Sequence, residues 1–196
     1  KPSVKDGSIR LERLINPPSI EINNISFHYP NSKRNIFKNF SLKIDSGEKI
    51  AIVGENGAGK STLVKLLCRI YDPQEGEILI NGINLKDLTL NDWYKNVGVL
   101  FQDFNFYGNL TVEENIYMGK PVKEIDRERV VECAKSADAH DFIVSYKNGY
   151  KTVMSERFKD GIKPSKGQQQ KIAIARFFYR DAPFAMFDEP TSAIDA

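Results

Sequence analysis

The chain has little of what marks a secreted, metal-binding or membrane-spanning protein. It holds two cysteines, Cys68 and Cys133, far apart and each inside an apolar helical pattern. Two reduced core thiols are therefore expected, not a disulfide or a metal site. With only two histidines, His28 and His140, no Cys/His ligand cluster can be assembled. No run of about 18 apolar residues occurs, so this stretch is not read as crossing a bilayer, and no signal peptide opens it. Charge of one sign is scarce too. Lys and Arg number 28 against 26 Asp and Glu, the formal net charge is +2, and no basic stripe argues for nucleic acid. Internal repeats and low-complexity tracts are missing.

What is present is ordinary in amount and informative in order. The 196 residues are 41% hydrophobic, enough for one substantial core or for one domain with an inserted subdomain. The first residue is Lys1 and Ala196 directly follows a motif, so both ends read as cuts in something longer. Residues 1–19 are polar, end in Pro17-Pro18 and read as a linker. Apolar side chains alternate at Ile20, Ile22, Ile25, Phe27 and Tyr29, and again at Phe40, Leu42 and Ile44, the period of half-buried strands. The run Ile50-Ala51-Ile52-Val53 is short and β-branched, as expected of a strand buried on both faces. Leu63, Leu66, Leu67 and Ile70 follow at helical spacing, and Pro73 is read as ending that helix. Glu77–Ile80 and Asn84–Leu85 flank Asn81-Gly82, a strong hairpin signal. After the strand Val97–Phe101 the pattern turns helical at Val112–Tyr117, Glu128–Ala137 and Ala139–Val144, with no strand between. It returns to α/β logic with a helix at Gly167–Tyr179 and a strand at Phe184–Phe187.

Chemistry enters at Gly54-Glu55-Asn56-Gly57-Ala58-Gly59-Lys60-Ser61, which matches G-x-x-x-x-G-K-[ST]. Glycines let the backbone wrap a phosphate with its N–H groups inward. The helix starting near Lys60 adds N-terminal N–H groups and its positive dipole end. Lys60 is assigned to the β/γ-phosphates and Ser61 to Mg²⁺, with Thr62 grouped among the nucleotide contacts. A chance match in a chain of this length is roughly a one-in-a-hundred event, and an apolar run before the loop with an apolar helix after it reduces that further. The strand Phe184–Phe187 ends in Asp188-Glu189. Carboxylates at that end of a strand are where a metal and an attacking water are held. Asp188 is assigned to the metal and Glu189 to the nucleophilic water. An apolar string ending in two acids is common by itself; pairing with the phosphate loop gives it meaning.

The order of these motifs resembles the ATP-binding cassette (ABC) family across essentially the whole chain. Tyr29, in Phe27-His28-Tyr29-Pro30, resembles the aromatic that stacks on adenine. Gln102, in Leu100-Phe101-Gln102-Asp103, resembles the Q-loop glutamine that touches Mg²⁺ and the attacking water and communicates with a transmembrane partner. Ser192-Ala193-Ile194-Asp195 resembles the D-loop. The resemblance implies an α/β fold: a RecA-like P-loop NTPase core with a mostly parallel sheet, an antiparallel β subdomain and an inserted helical subdomain at about 104–179. It implies ATP and Mg²⁺ as ligands and a head-to-tail pair of cassettes. In that pair, the partner's nucleotide meets the segment matching Leu-Ser-Gly-Gly-Gln, here Pro164-Ser165-Lys166-Gly167-Gln168. Ser165, Gly167 and Gln168 keep the pattern and are expected to meet a γ-phosphate in trans. Lys166 places a side chain where glycine permits close approach, and Pro164 removes a backbone N–H. A heterodimer with one degenerate site is favoured over a homodimer that tolerates the variant.

The flanks resemble exporter-type half-transporters. Leu11–Tyr29 matches their linker and first strand, and Leu110-Thr111-Val112-Glu113-Glu114-Asn115-Ile116 matches the start of their helical subdomain. Asp141-Phe142-Ile143, Gly149-Tyr150-Lys151-Thr152 and Ser155-Glu156-Arg157 match the stretch before the signature, although Phe158–Lys163 is longer than in many exporters. Phe101, Phe104, Phe106 and Tyr107 either form a groove for a coupling helix or fill the insertion's core. The resemblance thus implies residues 1–19 as a linker from a transmembrane domain of the same parent chain. Residues 20–196 would be the cassette at the cytoplasmic face, with a second cassette as partner and no nucleic acid. Its switch histidine would lie beyond Ala196. The other classes are a soluble ABC-type ATPase and a regulatory, binding-only cassette.

Overall fold

The computed structural model describes residues 4–122 and 124–188, which fall into two compact units. Among the described residues no helix is long and apolar enough to cross a membrane.

The first unit comprises residues up to Val97 together with Ala182–Asp188. Its sheet runs in the order β2-β1-β3-β4, every pairing antiparallel, with β1 Ile20–Phe27, β2 Phe37–Ile44, β3 Glu75–Ile80 and β4 Ile83–Asn84. Strand β1 is central, and Ile20 faces Ile44 on one side and Ile80 on the other. Its buried side chains are Ile20, Ile22, Ile25 and Phe27, three steps apart at the middle instead of two. A bulge accounts for the slip. Both ladders change register between Ile22 and Ser26, and Asn24 adopts a φ of 49°. The partner strand bears the consequence: a Cβ on Gly76 would lie 2.3 Å from the Asn23 carbonyl oxygen, so only glycine fits opposite the bulge. The β3–β4 turn places Asn81 and Gly82 both at positive φ, 48° and 79°, as a two-residue hairpin loop needs.

Helix α1, Lys60–Leu67, buries Thr62, Leu63, Leu66 and Leu67. It stops earlier than the apolar spacing predicts, because Arg69 turns left-handed at φ 52°. The Arg69 N–H bonds Leu66 O and the Ile70 N–H bonds Lys65 O, a Schellman closure. Ile70 is left on the surface. The Arg69 guanidinium is buried and donates to the carbonyls of Leu88, Lys86 and Lys5, each at 2.7 Å, and to Asp72 at 3.3 Å. Helix α2, Leu90–Asn96, is not evident from the sequence pattern. It buries Trp93, whose indole N–H bonds the Leu67 carbonyl at 2.9 Å and so closes the C-terminal end of α1. The stretch expected to be a linker is docked along this unit. Ile9 bridges Leu88 in parallel, Leu90 N bonds Asp6, and Leu14 N bonds Asn96 Oδ1 at 2.7 Å.

One expectation fails here. Ile50–Val53 is not a strand, and Ile50, Ile52 and Val53 are exposed, Val53 to 91%. A strand buried on both faces needs ladder neighbours, and among the described residues none pairs with this run. A β-branched apolar sequence supplies the propensity for a strand, not its partners. Strand β5 is Val97–Leu100, and β6, Phe184–Phe187, has the predicted bounds.

The second unit, Gly98–Asp181, is helical. It contains α3 Val112–Tyr117, α4 Arg127–Ser136, α5 His140–Ser145, a 3-10 turn at Gly149–Lys151 and α6 Lys166–Arg180. Val112 and Ile116 of α3, Val130 and Ala134 of α4, Ile143 of α5 and Ile172, Ala175 and Tyr179 of α6 form its core. Phe106 packs against that core, filling part of the interior. Three of the helices are capped as their sequences dictate: Thr111 with Glu114, and Ser165 with Gln168, form capping boxes, and Asp126 caps α4. The sequence-based range of about 104–179 lies within this unit.

Candidate functional site

The phosphate-loop sequence forms an exposed turn that feeds α1. Gly57 and Gly59 adopt φ of 84° and 102°, and Gly59 is the N-cap. A side chain at Gly59 would be strained in backbone and would also meet Ile36 and Phe37 at 3.0 Å. The first turn of α1 carries no acidic residue, so its N-terminal N–H groups and positive dipole end stay available to an anion. The Lys60 ammonium folds back over the loop and donates to Gly54 O at 2.7 Å and Glu55 O at 3.2 Å. The cation is thereby held against the loop's own carbonyls.

Ser61 and Asp188 meet. The Ser61 hydroxyl donates to Asp188 Oδ1 at 2.8 Å, and Asp188 is only 7% exposed. A buried carboxylate at the C-terminal end of β6 and a hydroxyl in the first turn of α1 thus share one polar locus. Hard oxygen donors of this kind suit Mg²⁺, which takes one or two carboxylates and completes its shell with phosphate oxygens and water. The residues present fit that ion.

Tyr29 belongs to the same unit. Its hydroxyl hydrogen-bonds Thr62 Oγ1 at 3.0 Å, so it is tied to the residue that follows Ser61. The ring packs edge-on against Phe27 and Tyr71, with centroids 5.3 Å and 5.4 Å away, and Lys65 lies over it at 5.5 Å. The structure therefore brings together Tyr29, Gly54–Thr62 and Asp188. Glu189 and Ser192–Asp195 lie outside the described residues.

The second unit carries the others. Gln102 is exposed just after β5. Ser165 caps α6: Gln168 N bonds its hydroxyl at 3.3 Å, and Ser165 N bonds Gln168 Oε1 at 3.0 Å. Helix α6 begins at Lys166, one residue before the predicted start, so Lys166 occupies the first helical position and is exposed. Open space surrounds a Cβ placed on Gly167, so packing within the unit does not require glycine there. Glu156 is exposed in the turn that precedes the signature.

Two residues of this unit escaped the sequence reading. Arg176 is drawn onto Asn105, Tyr107 and Asn115 by hydrogen bonds and a ring contact. Burial lowers its pKa from the ordinary guanidinium value. Asn115 is fully buried and holds Tyr107 at both its N–H and its carbonyl. The available signal was position: Arg176 follows Ile172 by four residues, on the inward stripe of α6, where a charge needs a reason.

Comparison with known proteins gives the family and the fold. Residues 37–192 match the family model described as ABC transporter. The chain is 44% identical over 176 residues to a protein named as a multidrug export ATP-binding/permease protein, YgaD, of Bacillus subtilis (strain 168). It is equally similar to one so named in Staphylococcus aureus (strain NCTC 8325 / PS 47). Each match covers 90% of this chain but 29% of the relative, so the chain spans under a third of their length. The structure of a bacterial Atm1-family ABC exporter with ATP bound superposes with a TM-score of 0.87 at 37% identity. That match covers 99% of this chain and 33% of the other.

Proposed function

The chain belongs to the ABC transporter family, and we propose that it binds Mg-ATP and hydrolyses it to drive an exporter. The observation that carries this reading is the Ser61–Asp188 hydrogen bond, which joins the phosphate loop to the end of β6 at a buried carboxylate. The phosphate loop holds the triphosphate through its N–H groups, with Lys60 on the β- and γ-oxygens. Ser61 and Asp188 hold Mg²⁺, which when bound neutralises charge on the phosphates; Gln102 is assigned to the same ion. Tyr29 supplies the aromatic surface for adenine. Glu189, next along the chain, orients and deprotonates the attacking water.

The reading extends to partners. Similarity to export ATP-binding/permease proteins supports a transmembrane domain in the same parent chain, with this cassette at the cytoplasmic face. The Ser165–Gln168 turn serves the nucleotide of a second cassette, the favoured arrangement being a heterodimer in which this signature belongs to the weaker site. ATP binding closes the pair, and hydrolysis with product release reopens it.

The test is a pair of variants in the full-length protein. Asp188→Asn retains an acceptor for Ser61 but loses the charge. It is expected to weaken nucleotide binding in Mg²⁺ by about tenfold or more, the scale of a lost charge-assisted contact, with little change in EDTA. Glu189→Gln should keep Mg-ATP binding, abolish steady turnover and accumulate closed, ATP-bound dimers. Equal Mg²⁺ dependence in wild type and Asp188→Asn would overturn the metal assignment. Normal turnover by Glu189→Gln would place the base elsewhere.

A further inference from the structure

Rigid linkage inside the second unit gives Arg176 a role beyond packing, and this inference rests on the reading of Gln102 and Ser165–Gln168 above. Arg176 lies on α6, the helix that Ser165 caps. Its guanidinium donates to Asn105 O at 2.6 Å, to Asn115 O at 2.8 Å and to Asn115 Oδ1 at 3.0 Å, and it lies 4.7 Å over the Tyr107 ring. Asn115, on α3, turns its amide onto the same loop. Its Oδ1 accepts from Tyr107 N at 3.3 Å, and its Nδ2 donates to Tyr107 O at 2.9 Å and Thr111 O at 3.0 Å. The segment shortly after Gln102 is thus fastened to the signature helix through one planar cation and one amide.

Helix packing alone does not call for this. Val112 and Ile116 of α3 already bury against Ile172, Ala175 and Tyr179 of α6 in an apolar core. A largely buried guanidinium costs desolvation that an apolar side chain would avoid. What the guanidinium adds is geometry: a fixed fork that bonds carbonyls on two segments at once while stacking on a ring, which an ammonium cannot reproduce.

We propose that Arg176 is a positioning residue that couples the segment following Gln102 to the helix bearing Ser165, so that nucleotide engagement at either is felt by the other. Asn115 and Tyr107 complete the clamp. The chain from Asn105 to Tyr107, three to five residues after Gln102, then moves with α6 unless this network breaks, and the network has the contiguous, polar construction that carries coupling between sites.

The experiment uses the full-length protein with Arg176→Lys, which keeps the charge and loses the fork, and Tyr107→Leu, which removes the ring at a partly exposed position. Hydrogen exchange, ATP affinity and turnover are measured on each. For Arg176→Lys, exchange across 103–110 should rise by about fivefold, with protection along α6 retained. ATP affinity should stay within about twofold and turnover should fall by about fivefold, within the range such networks carry. Tyr107→Leu should show the same pattern more weakly, and it decides the matter alone if Arg176→Lys does not fold. Unchanged exchange at 103–110, or freer exchange there with normal turnover, overturns the proposal. General loss of protection through the unit reduces Arg176 to a structural residue and overturns it as well. Gln102→Ala, run in parallel, separates the two readings. Normal turnover in that variant defeats the assignment of Gln102, while the exchange pattern of Arg176→Lys still reports on the clamp.

Discussion

At the residue scale, the phosphate loop was legible because its chemistry needs fixed residue types at fixed spacing, and nothing about burial has to be known to see it. The Ser61–Asp188 contact was legible only as a pairing of motifs, since 127 positions separate the two residues. Cys68 shows what a side chain's own pattern can predict. Its place in the apolar helical pattern foretold a reduced core thiol, and at the C-cap of α1 it is free and buried. Burial pushes its pKa up to about 12 from an ordinary value of 9.0. The folded state therefore holds its proton more tightly than the unfolded chain. That contribution to stability is fully present below about pH 9 and is lost as pH rises toward 12. Cys133 is also buried, with its pKa raised by desolvation. Neither thiol should react with a disulfide reagent at pH 8 until the protein unfolds. Rapid labelling of native protein at Cys68 would contradict its burial.

At the scale of elements, boundaries went astray where a side chain far away in sequence decided the backbone. Apolar spacing extends α1 to Ile70, and nothing local forbids it. The helix ends because Arg69 takes the left-handed position usually given to glycine, stabilised by hydrogen bonds to Lys5, Lys86 and Leu88 carbonyls and to Asp72. A left-handed arginine costs about 1 kcal/mol of backbone strain, while leaving the buried Leu88 carbonyl without its donor costs about 1–3 kcal/mol and the part-buried Lys5 and Lys86 carbonyls add to that. Arg69→Gly should therefore be destabilising, although it relieves the strain, and Arg69→Ala more so, by roughly 3 kcal/mol or more. Denaturant titration of both variants checks the sign: a stabilised glycine variant would mean the guanidinium contributes less than the strain. The same logic explains α2. Its seven residues carry too little periodicity to be recognised, and Trp93 fixes the helix by closing α1 from outside. Ile50–Val53 fails in the opposite direction, with strand propensity present and the ladder missing.

For the whole molecule, the order of motifs along the chain identified the family, while the proposed heterodimer rests on two departures, Pro164 and Lys166. Lys166 stands at the first position of α6, where the helix end is already positive. A cation there is unfavourable by about 0.3–1 kcal/mol. Replacing it with glycine removes that term but loses about 1 kcal/mol of helix propensity, so Lys166→Gly should leave stability nearly unchanged. Its effect on activity is then interpretable as an effect on the facing nucleotide. Gly167 keeps open space around it and the Ser165–Gln168 cap is intact, with the Ser165 and Gln168 N–H groups bonded within the turn, so the local fold tolerates Lys166. On the proposed reading, what Lys166 alters is how closely a triphosphate can approach. If this signature serves the weaker of two sites, the protein alone should turn over ATP slowly, and adding a cassette with an unaltered signature should raise the rate. Lys166→Gly should raise the rate of the protein alone. Full turnover alone, indifferent to Lys166→Gly, would make the chain one half of an ordinary homodimer.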